Sequence, residues 1–127
     1  MSLRSPLGRV LYLGAARDGV GHWWVQRVTA VALAPLAVWL TIALLALPEG
    51  YDAALAWIGA GMHPVLLALT LLLALWHSWL GVQVVIEDYV HGFAIKTVSL
   101  LLSTFAHGLL AASALYAVLR IALRSGA

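Results

Sequence analysis

The sequence predicts an all-α integral membrane protein with three transmembrane helices, on three observations. First, 64% of its 127 residues are hydrophobic and 9% are charged. A soluble domain carries roughly 25% charged residues, so this chain has about a third of the charge that a water-facing surface needs. Second, the mean hydropathy is +1.00. Third, the few charges stand at the ends of long apolar segments. Composition thus excludes a soluble globule and a disordered chain. The pI of 9.4 reflects seven Lys and Arg against five Asp and Glu, scattered rather than clustered as a phosphate-binding surface requires. No nucleic-acid partner is expected. There is no cysteine, which removes disulfides, thiolate metal sites and cysteine nucleophiles from consideration.

The opening MSLRSPLGRVLYLGAARDGVGHWW lacks a long apolar core and a small-residue cleavage site, and does not read as a cleaved signal peptide. The first span is expected from about Val28 to Leu47, without a charge and with Pro35 inside it, a break that bundle neighbours can absorb. Leu47–Asp52 is a polar turn with Pro, Gly and two acids. Ala53–Gly61, carrying Trp57, reads as a short interfacial segment. The second span runs from about Met62 to Ile86 and opens on His63-Pro64, a plausible helix start. Glu87–Gly92 breaks it, and the third span runs from about Thr97 to Leu119, with Arg120 and Arg124 beyond. Three spans use up most of such a chain, which therefore forms one membrane-anchor domain over residues 1–127.

Positive charge sets the orientation. Arg4, Arg9, Arg17, Arg27 and Lys96 fall on one side, Arg120 and Arg124 on the other. The N-terminus is expected in the cytoplasm and the C-terminus outside. Tyr12, Trp23, Trp24 and Tyr89 sit where an aromatic belt would anchor the cytoplasmic interface.

His77 lies near the middle of the second span, in LLLALWHSWLGVQVV. An ionisable side chain at that depth faces the bundle interior with a partner. It is either a histidine bonded to a neighbouring helix or a ligand. At 100° per residue, Thr70, Gly81 and Asp88 fall within about 40° of it on the helix surface. Gly81, one turn on, leaves a bare backbone patch. Such a patch suits a flat group such as haem, whose iron takes an axial histidine, or close packing of another helix. His107 shares a polar stripe with Ser99 and Ser103 in the third span and is read as a packing and hydrogen-bonding residue, with ligation of a second haem position as the less favoured alternative. His22, His63 and His91 stand at span boundaries, where a histidine is cheap. Glu87 and Asp88 end the second span, where acids oppose the helix macrodipole. One of them is expected to have another partner, with Arg27 on the same side as the candidate.

These residues carry a family resemblance. HSWLGVQVVIEDYVHG (His77–Gly92) resembles the His-x3-Gly-x6-Asp-Tyr signature of the succinate dehydrogenase hydrophobic membrane anchor subunit, the smaller of the two anchors of complex II. GHWWVQRVTAVAL (Gly21–Leu33) resembles the Arg-x-Thr-Ala start of that family's first helix, in a form similar to alphaproteobacterial and mitochondrial members. The two patches cover about a quarter of the chain, and the three-span layout matches throughout.

The resemblance implies an anchor in the bacterial inner membrane that packs with the larger cytochrome b subunit, with haem b shared between them and His77 as one axial ligand to the haem iron. It implies that Tyr89, with its neighbour Asp88 and with Arg27, helps bind ubiquinone. Gly81 would give the haem room, and Arg27 and His22 would lie near its propionates. Iron–sulfur and flavoprotein subunits are the implied soluble partners. The chain would then be a subunit of succinate:ubiquinone oxidoreductase with no catalytic residue of its own. A non-redox membrane scaffold and a menaquinone-linked anchor of the fumarate reductase type are the alternatives.

Overall fold

The computed structural model describes the backbone of residues 16–125 and the side chains of residues 20–124. Arg4, Arg9 and Tyr12 lie outside the described residues, as does the side chain of Arg17. Among the described residues four helices follow in order: α1 (Ala16–Leu45), α2 (Tyr51–Gly59), α3 (His63–Tyr89) and α4 (Phe93–Ser125). Three of them, over Val20–Leu45, His63–Tyr89 and Phe93–Arg124, are long and apolar enough to cross a membrane. The expected interfacial segment is the short helix α2. Helices α1 and α4 begin before the predicted spans, by twelve residues and four, because apolar patterning registers the hydrocarbon layer while the backbone stays helical through the headgroups.

Local chemistry sets the breaks. Pro48 disfavours helical backbone at Leu47, and α1 ends just before it. Gly50, at φ 97°, occupies a region closed to most side chains and turns the chain into α2. Gly92, at φ 136°, does the same between α3 and α4. There Lys96 crosses the turn, its Nζ donating to the Glu87 carbonyl at 2.7 Å, so a cation meets the negative end of the α3 dipole. Pro35 lies within α1 without ending it.

The helices stand in a row rather than around a common axis. α3 is central, in contact with α1 on one side and α4 on the other, and α1 and α4 do not touch. The interior is correspondingly thin: Leu36, Ala43, Leu80 and Val118 are the buried apolar side chains, joined by Thr29 and Thr70. None of the most apolar stretch of α4 is buried. Polar contacts fix the register of this row. Trp79 Nε1 donates to Thr104 Oγ1 at 3.2 Å. His107 Nδ1–H donates to the Ser103 carbonyl at 2.8 Å, leaving Nε2 to accept from Ser78 Oγ at 3.3 Å. His107 is therefore the packing histidine its stripe suggested. At the other end of α3, His63 stacks on Trp57 with ring centroids 3.9 Å apart, and its Nδ1 donates to the Trp57 carbonyl at 2.8 Å. This latches α2 to the start of α3.

Candidate functional site

The site lies between α1 and α3, toward the Arg27 end of the row. His22, Gln26 and Thr29 recur at four- and three-residue steps and so share one helical face. That face meets His77. Thr29 is 4% exposed, and its Oγ1 lies 2.9 Å from His77 Nδ1. The same hydroxyl reaches the carbonyls of Val25 at 2.9 Å and Gln26 at 3.1 Å. In the tautomer with the proton on Nδ1, the ring donates to Thr29 while the hydroxyl proton stays on one of those carbonyls. His77 Nε2 is then the lone-pair nitrogen, and it accepts from Gln26 Nε2 at 3.3 Å. A hydroxyl holding one ring nitrogen while the other presents a lone pair is the arrangement that orients a metal-ligating histidine.

His77, His22, Trp23, Gln26, Arg27, Gln83 and Glu87 line a cleft of about 630 Å³. Arg27 lies over the Trp23 ring, 4.9 Å from its centroid, and Trp23 meets Trp24 edge-on at 5.2 Å. Both indoles stay half exposed, as belt residues do. Three shielded polar atoms around the cleft, His22 Nε2, Gln26 Oε1 and Gln83 Oε1, have no hydrogen-bond partner. An unpaired polar atom in a membrane interior costs several kcal/mol. Among the described residues nothing supplies the polar group that the cleft calls for.

A haem fits the residues present. His77 would supply a ring nitrogen to the iron, and Arg27 and His22 would supply donors for the carboxylates. Gly81 adds to this. A side chain there would meet Gln26 Nε2 at 3.6 Å, an ordinary contact, and nothing else. Among the described residues nothing requires glycine at 81, and the backbone there stays open to a bound group. Among the described residues no group of three His, Cys, Asp or Glu could hold a bare metal ion.

Not every expected residue joins this cleft. Asp88 and Tyr89 end α3 and face outward, Tyr89 being 77% exposed; neither lines the cleft. The expected Asp88–Arg27 ion pair is not formed among the described residues. The acid with a partner is Glu87, whose Oε1 accepts from Gln83 Nε2 at 3.2 Å, and Glu87 is also the acid beside Arg27 in the cleft. Adjacent helical positions point about 100° apart, which separates Glu87 from Asp88. Gln26, Thr29 and Gln83 were not singled out from the sequence. The signal for the first two was present in the seven-residue polar step from His22 to Thr29.

Three apolar helices in a row, with a cleft that leaves polar atoms unpaired among the described residues, define a membrane-spanning helical protein. The chain belongs to the family of succinate dehydrogenase/fumarate reductase transmembrane subunits, whose pattern it matches over residues 1–119. It is thus a membrane subunit of an enzyme complex and not an enzyme by itself. Among its relatives is a succinate dehydrogenase membrane anchor subunit from Reclinomonas americana, 30% identical over 74% of this chain and 82% of the relative. The hydrophobic membrane anchor subunit from Rickettsia bellii is 32% identical over 68% of this chain and 70% of the relative. That from Paracoccus denitrificans is 30% identical over 87% and 86%. No solved structure gives a significant match.

Proposed function

We propose that this chain is the hydrophobic anchor of a succinate:ubiquinone oxidoreductase, a multi-pass inner-membrane protein that supplies one haem b ligand and part of the ubiquinone-reduction site. The observation that carries the reading is the His77 imidazole, fixed through Nδ1 to Thr29 and turning its lone-pair nitrogen into a polar cleft.

His77 would hold the iron of haem b together with a histidine of the larger cytochrome b anchor. Thr29 would keep the imidazole in register, and Gln26 would give up its contact with Nε2. Arg27 and His22 would hold the propionates, and Gly81 would leave the group room. Haem, when bound, supplies reversible one-electron chemistry in the middle of the bundle.

At the Arg27 end, Tyr89 donates a hydrogen bond to a ubiquinone carbonyl oxygen, where negative charge develops on reduction. Its exposed hydroxyl stands at the end of α3, where the iron–sulfur subunit closes over it. Asp88 and Arg27 complete the polar rim and connect it to the cytoplasmic aqueous phase, from which protons come. By helix rise, His77 and Asp88 are separated by about 16 Å, which leaves haem and quinone separate depths in one bundle. The flavoprotein and iron–sulfur subunits perform the succinate chemistry, and this chain tethers them.

A reduced-minus-oxidised spectrum of the two co-expressed anchors tests the reading. A low-spin b-type signal that disappears or changes spin state in His77→Leu is expected. An unchanged bis-histidine spectrum in that variant removes His77 as ligand, and no haem signal in the wild type leaves a non-redox scaffold.

A further inference from the structure

A second polar cleft lies at the opposite end of the row, unrelated to His77. α2 rests against the closing turns of α4, and the two helices enclose about 480 Å³. Arg120 and Arg124, one turn apart on α4, line it together with Tyr116, Tyr51 and Asp52, and small aliphatic side chains complete the wall. Asp52 stands in the first turn of α2. Among the described residues, Asp52, Arg120 and Arg124 form no ion pair and no side-chain hydrogen bond. Two guanidinium groups and a carboxylate therefore share a cleft with no direct ion pair among the described residues.

Depth identifies the chemistry available to them. Arg120 stands 27 residues beyond Phe93 in one continuous helix, about 40 Å at 1.5 Å per residue. The hydrocarbon layer is about 30 Å thick and the bilayer with its headgroups about 40–45 Å. With Phe93 at one interface, the arginines reach the opposite headgroup layer, where the abundant anion is a phosphodiester. Tyr51 and Tyr116, 74% and 66% exposed, are the interfacial side chains expected at that level. Arginine's planar fork suits phosphate oxygens. The carboxylate selects further: a purely anionic headgroup would set a second negative charge near Asp52, whereas a primary ammonium a few bonds from the phosphate satisfies it.

We propose that this cleft binds one phosphatidylethanolamine molecule, its phosphate held by Arg120 and Arg124, its ammonium by Asp52, and its acyl chains laid along the aliphatic wall between α2 and α4.

The test uses the whole complex, partially delipidated in detergent and then offered nanodiscs containing equal phosphatidylethanolamine and phosphatidylglycerol, with retained lipid read by native mass spectrometry. The wild type should retain one phosphatidylethanolamine. Arg120→Gln/Arg124→Gln should lower that retention at least tenfold. Asp52→Asn, a change that leaves the arginines and the fold in place, should bind a lipid but lose its preference and take up phosphatidylglycerol. A photocrosslinking residue in place of Ala56 should label lipid. Retention unchanged in both variants overturns the proposal. So do an unaltered preference in Asp52→Asn, displacement of the lipid by millimolar inorganic phosphate, and crosslinking to a partner subunit instead of lipid.

Discussion

Thr29 on α1 and His77 on α3 meet at 2.9 Å through Oγ1 and Nδ1. The contact joins two helices and also orients the imidazole. With the threonine proton bonded to its own helix, the ring donates to Thr29. Packing of α1 against α3 and the chemistry of the histidine are thus one interaction.

Thr29→Val keeps the shape and removes the acceptor. The ring loses its anchor, and haem affinity should fall by about 10–100-fold, as when other outer partners of metal-binding histidines are lost. Thr29→Ser should restore it. Haem per complex, measured by pyridine haemochrome in preparations of equal subunit content, checks this; full occupancy in Thr29→Val under limiting haem would limit Thr29 to a packing role.

Gly81→Ala separates the demands of the chain from those of a bound group. The added methyl meets only Gln26 at 3.6 Å, so membrane insertion and complex assembly should be unchanged. Haem content should nonetheless fall. Normal haem in an assembled Gly81→Ala complex would show that position 81 does not border the macrocycle.

Tyr89→Phe removes one donor and keeps the ring. Succinate–quinone reductase activity should fall at least tenfold, with roughly 10²-fold typical of a lost donor at a developing oxyanion. Succinate oxidation with an artificial acceptor should persist. Equal quinone reductase rates in mutant and wild type, with assembly intact, would take Tyr89 out of the site.

His63→Ala should loosen α2 without touching the Arg27 end. Its ring stacks on Trp57 and bonds the Trp57 carbonyl, contacts together worth about 1–2 kcal/mol. Faster hydrogen exchange confined to α2 and the α2–α3 turn is the expected result. His63→Phe should recover part of the protection through stacking alone, and equal exchange in all three proteins would mean that the latch carries no stability.

The chain without partners should not yield a stable, monodisperse protein. Its helices form a row in which α1 and α4 do not meet, and His22, Gln26 and Gln83 keep unpaired polar atoms beside the cleft. A protease-resistant single species, purified from cells lacking the other subunits, would contradict this.

Apolar length and the scarcity of charge determined the three spans, since any backbone crossing a bilayer must satisfy its own hydrogen bonds within a helix. The sequence also disclosed His77 as an outlier, because an ionisable group at mid-span is costly whatever surrounds it. Helix ends were less legible: Gly92 and Lys96 shape a tight turn that hydropathy alone does not register. Partners across helices were not legible at all. That Thr29 meets His77, that Glu87 and not Asp88 shares the cleft lining with Arg27, and that α3 stands between α1 and α4 depend on the rotation and order of whole helices. Periodicity within one helix places side chains on its own surface, and only the packing of a second helix against it decides which of them touch.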